Sequence, residues 1–272
     1  MKNLLIRSIS GLIFVSIVVS CLLLRIEFLL GLFSILILIG LFEFQQLFSS
    51  NIQFSIHPLF FIIIGLSSFF LLISPTYFEL SELIVYGIIP LVFIVFMNEF
   101  RKNNRSPVLS VSVILFGVFY IVVPLYLGFD IHIEDKNDFP KLLGLFILVW
   151  TNDTFAYLCG NLFGRNKLFE RISPMKTIEG SLGGIAFSVL VGYLIGTIIE
   201  PDHTFFWLIS SVLIALFAIL GDLFESLIKR KANVKDTGNI MPGHGGVLDR
   251  FDAVFFSIPI FYFWDVIYFA FI

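Results

Sequence analysis

Long apolar runs separated by short polar stretches occupy most of the sequence. A helix of about 17 to 25 apolar residues crosses the hydrocarbon core of a bilayer. About nine runs approach this length, and the second and fourth are short enough to be tilted or re-entrant. They are residues 9–24, 28–42, 58–74, 83–97, 108–128, 142–160, 182–199, 205–220 and 254–272. The pattern predicts an all-α fold, a polytopic bundle of about nine transmembrane helices.

Composition excludes the main soluble classes. The chain is 58% hydrophobic and only 14% charged, which a soluble globular domain does not tolerate. Its net charge of -3 is small and scattered, so we expect no nucleic-acid partner. Cys21 and Cys159 both lie in apolar runs, which rules out a disulfide framework and a cysteine metal site. The lipid bilayer is therefore the predicted surrounding, and any phosphate site must be local.

The distribution of cations predicts the orientation, because Lys and Arg in short loops stay on the cytoplasmic side. With the N-terminus inside, all but three of the 17 cations fall on that side. The exceptions are Arg25, Lys136 and Lys141. An odd number of spans then puts the C-terminus outside. Val19-Ser20-Cys21 loosely resembles a cleaved lipoprotein signal, but a chain that is membranous throughout favours an uncleaved first span.

Two polar loops divide the chain by expected role. Residues 1–140 are predicted to be N-terminal transmembrane helices, and residues 141–272 a C-terminal catalytic region with cytoplasmic loops 161–180 and 225–250. These loops are longer than the others and rich in glycine, charge and hydroxyl groups. We expect the chemistry to lie there.

The first candidate group lies where the eighth run ends. Asp222, Glu225, Ser226 and Lys229 are three and four residues apart, so they share one face of a helix, and Arg230 follows. Carboxylates and a cation on one face are typical of a phosphate and metal site. A helix leaving the membrane with a simple Glu225–Lys229 ion pair is the open alternative.

A glycine-rich segment follows this helix. It begins with Lys235-Asp236-Thr237-Gly238 and continues as Pro242-Gly243-His244-Gly245-Gly246. Four glycines allow backbone N–H groups to approach an anion closely. His244 could donate to a phosphate or to leaving pyrophosphate, and an ordinary turn histidine is the alternative.

Asp249, Arg250 and Asp252 come directly after the glycines. Helix capping explains one aspartate at the start of the last span, but not an arginine between two. A nucleoside triphosphate requires Mg²⁺ held by one or two carboxylates, and we assign Asp222 and Asp249 to that role. The cations that would contact the phosphates are Lys229, Arg230, Lys235 and Arg250.

Two further groups precede these. Asn152 and Asp153 lie inside an apolar span, where a carboxylate is costly and indicates a polar cavity. A hydrogen bond to a neighbouring helix is the alternative. Residues 173–184 run from a loop into a span with Ser173, Lys176, Thr177 and Glu179, a pattern that favours an anion site at a helix start. It is not a P-loop.

Residues 226–252 resemble the signature of the phosphatidate cytidylyltransferase (CDP-diglyceride synthase) family. That signature reads Ser-x-apolar-Lys-Arg-x4-Lys-Asp-x-small-x2-apolar-Pro-x-His-Gly-Gly-apolar-x-Asp-Arg-x-Asp. The departures are Thr237, Met241 and Ala253, none of which removes a charge. Residues 150–157 and 173–184 also look like the family's, so the resemblance covers roughly the C-terminal half.

The resemblance implies a reaction of CTP with phosphatidic acid that gives CDP-diacylglycerol and pyrophosphate. It implies Mg²⁺, a second cation that would be K⁺, and a homodimer. With the orientation predicted from the cations, we expect the site on the cytoplasmic face of a bacterial inner membrane. The residues implied to be catalytic are Asp222, Asp249, Lys229, Arg230, Lys235, Asp236, His244, Arg250 and Asp252. Those implied to bind substrate are Ser173, Lys176, Thr177, Glu179, Asn152, Asp153, Glu225 and Ser226.

The residues agree with that chemistry. A phosphate monoester, with a second pKa of about 6, is already ionised at neutral pH and needs no strong base to attack phosphorus. Three alternatives remain at this point. One is transfer from CTP to an ether or isoprenoid lipid phosphate, another is a CTP-dependent lipid alcohol kinase, and the third is an ion-coupled transporter that uses Asp153 and Asp222.

Overall fold

Helices make up almost all of the computed structural model, which describes residues 2–49, 57–101, 107–135, 139–238, 240 and 245–271. The α-helices are α1 (Lys2–Leu23), α2 (Ile26–Ser49), α3 (Pro58–Tyr77), α4 (Ile88–Arg101), α5 (Pro107–Gly117), α6 (Val123–Glu134), α7 (Lys141–Phe163), α8 (Ile178–Leu194), α9 (Thr204–Lys231) and α10 (Leu248–Phe271). Two π-helical turns, Val118–Val122 and Ile195–Ile199, continue α5 and α8, and 3₁₀ turns form at Glu82–Gly87 and Pro201–His203. Two short strands, β1 (Lys167–Phe169) and β2 (Ser173–Thr177), pair antiparallel.

Eight helical segments of the described chain are long and apolar enough to cross a membrane, and Ile9–Leu23 is a shorter apolar helix. This confirms the predicted all-α, polytopic fold. The β1–β2 hairpin is an addition that hydropathy did not indicate. The predicted orientation of the termini stays a prediction.

The ends of two helices differ from the prediction. The span predicted to end at residue 220 continues as α9 to Lys231, and the one predicted to begin at residue 254 begins at Leu248. The irregular part of the predicted loop 225–250 is therefore shorter than expected. Hydropathy marks where apolar side chains stop, whereas helical hydrogen bonding continues through polar residues.

The chain divides into two compact units. Unit 1 comprises Met1–Glu134 and Lys231–Arg250. Its core is aromatic and is built by α2, α3 and α6. The Phe33 and Phe69 rings lie 6.4 and 5.9 Å from the ring of Phe129, and Phe44 lies 6.3 Å from Phe61. These rings are fully buried, and their contacts fix α2, α3 and α6 against one another.

Unit 2 comprises Asp135–Arg230 and Phe251–Ile272. α7 and α8 pack most closely, with Gly184 of α8 directly against Asn152 of α7. Small residues at such contacts let helix backbones approach within a membrane. At the start of α7, Lys141 forms a 2.8 Å ion pair with Asp265 and lies 4.0 Å above the Phe269 ring. These contacts hold α7 and α10 together, and the polar groups described next lie on the helices of this unit.

Candidate active site

One face of α9 carries the first candidate group, as its spacing predicted. Lys229 Nζ lies 2.8 Å from Glu225 Oε2, one turn earlier in the helix. Ser226 Oγ donates to Asp222 Oδ1 at 3.3 Å. The Glu225 side chain is only 2% exposed and that of Lys229 14%, so this ion pair is not a solvated surface pair. The Glu225–Lys229 ion pair of the open alternative is therefore present, but its glutamate is buried.

The β1–β2 hairpin places a second cation on this face. Lys176 of β2 forms an ion pair with the second carboxylate oxygen of Asp222. The two side chains are 25% and 36% exposed, so water reaches both. The structure thus brings together a lysine and an aspartate from two separate stretches that the sequence had singled out.

Hydrogen bonds at its base fasten the hairpin to α8. The Glu179 carboxylate accepts from the backbone N–H groups of Arg165 and Asn166, at 3.0 and 3.2 Å, and from Asn166 Nδ2 at 2.7 Å. Thr177 Oγ1 accepts from Gly180 N at 3.1 Å and so caps the start of α8. These contacts hold the strand that bears Lys176. Binding of substrate by Ser173, Thr177 and Glu179 stays a prediction.

α7 and α10 add carboxylates to unit 2. The Asp252 carboxyl lies within hydrogen-bonding reach of Glu225 and interacts electrostatically with Asp222 and Asp153. Asn152 is buried and donates from Nδ2 to Asp153 Oδ1 at 3.4 Å, whereas Asp153 itself is exposed. The carboxyl groups of α7 and α9 in this unit therefore influence Asp252 of α10, and we call these four residues the carboxylate cluster: Asp153, Asp222, Glu225 and Asp252.

Asp249 lies in unit 1 and organises the glycine-rich segment. Its Oδ2 atom accepts from Thr237 N at 2.9 Å, Thr237 Oγ1 at 2.9 Å and Gly246 N at 2.8 Å. Gly245 has φ +82°, and a Cβ atom there would lie 2.5 Å from Asp249 Oδ2. A side chain at this position would therefore be strained and crowded, which explains a glycine here.

Glu43 of α2 contacts the glycine-rich segment and was not predicted from the sequence. It is only 2% exposed, its carboxylate accepts from Val247 N and Leu248 N at 3.0 and 2.9 Å, and Thr237 Oγ1 lies 3.2 Å from its Oε2 atom. A carboxylate in an apolar span was the available signal, the same one that identified Asp153. The predicted second span ended at residue 42, so Glu43 fell outside it and was interpreted as an ordinary polar residue at the end of a helix.

The remaining candidates are more peripheral. Arg230 is exposed and donates from Nε to Ile172 O at 3.4 Å, while Lys235, Asp236 and Arg250 are also exposed. Exposure keeps these charges available to a large anionic ligand. His244 lies outside the described residues, so its predicted role is neither supported nor opposed by the structure.

The donor atoms of the cluster suit a hard cation. Among the described residues, no three His, Cys, Asp or Glu side chains are arranged around one point as metal ligands. Mg²⁺ needs only one or two carboxylates, because water and substrate phosphates supply the other oxygens. Four carboxylates interact in this part of unit 2, and Lys176 and Lys229 form the ion pairs described there. The oxygen donors fit Mg²⁺.

Comparison with known proteins decides the family. The sequence profile described as "Cytidylyltransferase family" matches residues 5–268, nearly the whole chain. The chain belongs to the cytidylyltransferase family. This confirms the resemblance drawn from residues 226–252, and it extends membership to the N-terminal helices, whose sequence matched only in being hydrophobic.

Individual relatives of this cytidylyltransferase-family chain carry a more specific name. A phosphatidate cytidylyltransferase of Staphylococcus epidermidis is 39% identical over 177 residues, which are 64% of this chain and 66% of that protein. One from Staphylococcus saprophyticus is 36% identical over 183 residues, covering 66% and 68%. One from Staphylococcus aureus is 38% identical over 176 residues, covering 64% and 66%. The matched region is thus just under two thirds of the length of the first and third relatives.

Proposed function

We propose that this chain is a phosphatidate cytidylyltransferase, an integral membrane enzyme that converts CTP and phosphatidic acid to CDP-diacylglycerol and pyrophosphate. The observation that carries the proposal is the family signature at residues 226–252, whose acidic and basic residues are those that phosphoryl chemistry needs. The relatives named phosphatidate cytidylyltransferase support the lipid substrate.

The proposed reaction is a single in-line displacement. An oxygen of the lipid phosphate forms a new bond to the α-phosphorus of CTP, and the bond from that phosphorus to the bridging oxygen of the β-phosphate breaks. Pyrophosphate leaves with the bonding electron pair. Because the attacking phosphate is already ionised at neutral pH, positioning and charge neutralisation supply most of the acceleration.

The residues of unit 2 suit those two tasks. Ion pairs hold the ammonium groups of Lys176 and Lys229 beside the carboxylates of Asp222 and Glu225, which limits the motion of two long side chains. Ammonium groups held in this way neutralise phosphate oxygens at little further entropic cost. Bound Mg²⁺ would neutralise triphosphate charge and orient the phosphates, and Asp222 is the residue of this unit that we propose as a ligand.

In unit 1 we propose Asp249 as a metal carboxylate, with Arg250 beside it as a phosphate contact. One oxygen of Asp249 already accepts three hydrogen bonds from Thr237 and Gly246, which fixes the direction of the carboxylate. A carboxylate held by its neighbours is a better ligand than a mobile one, because less ordering remains when the cation binds. A second cation, K⁺, is part of the same proposal.

The proposed setting is the bacterial inner membrane, with the active site facing the cytoplasm and two copies forming a homodimer. The excess of cations in the loops assigned to the cytoplasmic side supports the orientation. The acyl chains of both lipid and product would remain in the bilayer, which accounts for a membrane-embedded enzyme.

Pyrophosphate release by the detergent-purified protein tests the reaction. The assay contains Mg²⁺, CTP and phosphatidic acid, and its controls replace CTP by ATP or phosphatidic acid by diacylglycerol. Release that requires both CTP and phosphatidic acid is the expected result. Formation of CDP from CTP and diacylglycerol would instead identify a lipid kinase. Solute uptake by sealed vesicles without CTP turnover would identify a transporter.

A further inference from the structure

The Glu43 carboxylate joins the N-terminal helices to the signature segment within unit 1. Its Oε1 and Oε2 atoms accept from the backbone N–H groups of Val247 and Leu248, and Oε2 lies 3.2 Å from the Thr237 hydroxyl oxygen. These residues are 194 to 205 positions away along the chain. A residue of the second helix thus holds two stretches of the C-terminal segment at once.

The two amides that Glu43 binds belong to the start of α10. The first N–H groups of a helix have no partner within it, and a negative charge near them is stabilising. Here a side chain from another helix supplies the acceptor, although Asp249 lies in the first turn of α10 itself. Glu43 therefore fixes where α10 begins and, with that, the backbone that carries Asp249 and Arg250.

Thr237 connects the Glu43 and Asp249 carboxylates. Its hydroxyl lies 3.2 Å from Glu43 Oε2 and 2.9 Å from Asp249 Oδ2. The glycine at position 246 leaves room for the Glu43 carboxylate and the Thr237 hydroxyl, because a Cβ atom there would collide with Glu43 Oε1 and with Thr237 Oγ1. The described ends of the segment, Thr237–Gly238 and Gly245–Asp249, are thereby held together, and we call this arrangement the loop clamp.

We propose that Glu43 is a positioning residue for the enzyme's signature segment and acts through the loop clamp, without touching substrate. A buried carboxylate in an apolar span is costly unless donors compensate it, and charge-assisted hydrogen bonds are the strong kind that do. The energetic cost of Glu43 is offset only when the segment adopts this conformation. The role in catalysis rests on the proposed function, whereas the loop clamp itself does not.

Limited trypsin digestion tests the loop clamp without reference to activity. Lys235 is exposed and lies two residues before Thr237, so a segment released from Glu43 should be cut there faster. In Glu43→Gln one of the two carboxylate oxygens is replaced by an NH2 group, which cannot accept a hydrogen bond from the N–H group that it faces. We expect cleavage at Lys235, mapped by mass spectrometry, to accelerate at least tenfold. Glu27→Gln, at the exposed start of the same helix, should be cut at the unaltered rate.

Turnover of the same preparations tests the positioning role. In Glu43→Gln we expect kcat per folded molecule to fall 10- to 100-fold, while KM for CTP changes less than threefold. Thr237→Val should reduce kcat in the same direction and Thr237→Ser should restore it. The Glu43→Gln/Thr237→Val double variant should lose far less than the product of the single losses, because both changes break one arrangement.

Several results would overturn the proposal. Unaltered cleavage and turnover in Glu43→Gln would remove it, and so would losses that multiply independently in the double variant. A fall in turnover that merely follows the fraction of unfolded protein would reduce Glu43 to a stability role. If Glu43→Gln does not fold, Thr237→Val gives the same digestion test. If the parent protein has no CTP-dependent turnover, the proposed function fails while digestion still decides the loop clamp.

Discussion

Replacing Asp222 by asparagine distinguishes a metal carboxylate from a residue that serves only to hold Lys176. The substitution preserves size and a hydrogen-bond acceptor for Ser226 Oγ but removes the charge. In the structure, Asp222 forms an ion pair with Lys176, and the two side chains are 36% and 25% exposed. Ion pairs with this much solvent contact contribute about 0 to 1 kcal/mol. Loss of that pair alone would lower activity by about fivefold at most.

A metal role predicts a much larger effect. If Asp222 holds the cation that neutralises the triphosphate, its loss removes stabilisation that the transition state needs, and we expect kcat/KM to fall by about 10³-fold or more, about 4 kcal/mol. The assay is pyrophosphate release at saturating Mg²⁺ with the folded fraction measured in parallel. Lys136→Ala, in a predicted outer loop, should keep full activity. A loss of fivefold or less in Asp222→Asn would refute the metal assignment.

Four further predictions concern Asp249, Gly246, Lys229 and the proposed Mg²⁺. Asp249→Asn should abolish turnover and also speed trypsin cleavage at Lys235, because the carboxylate both serves as the proposed metal ligand and closes the segment; normal turnover would contradict this. Gly246→Ala should lower the free energy of unfolding in detergent by about 1 to 3 kcal/mol, because the added methyl group collides with Glu43 and Thr237. An unaltered free energy of unfolding would show that the segment can shift. Lys229→Met should lower the free energy of unfolding in detergent by about 3 kcal/mol, because the buried Glu225 carboxylate loses this ion pair. Adding Glu225→Gln to the same chain should recover part of that loss. Chelation should stop pyrophosphate release and Mg²⁺ should restore it; release that continues in chelator would exclude the proposed cofactor.

The sequence predicted the membrane helices well, because about 20 apolar residues are required wherever a chain crosses lipid. It located the ends of α9 and α10 poorly. Hydropathy ended the span at residue 220 and assigned residues 225–250 to a loop, yet α9 continues to Lys231 with side-chain contacts one turn apart, such as Glu225 with Lys229.

The candidate residues of α9 were predicted from spacing alone, since a helix fixes which positions share a face. Contacts between distant stretches were not predictable in this way. No pattern in the sequence pairs Lys176 with Asp222, because that contact depends on the register of the β1–β2 hairpin. Glu43 escaped notice for a similar reason. Its donors at Val247 and Leu248 are backbone N–H groups. Every residue except proline carries such a group, so the residue types do not indicate which ones donate.

The separation of Glu43 from its donors has a consequence for synthesis of the protein. The ribosome produces Leu248 205 residues after Glu43, which at roughly 5 to 20 residues per second takes about 10 to 40 s. During that interval α2 has to enter the bilayer before its donors from the C-terminal segment exist. A chain that stops before Val247 would lack both backbone donors, and the Glu43 carboxylate would lie in an apolar span without them. The Glu43 carboxylate of the second helix thus gains these two donors only after Leu248 has been translated.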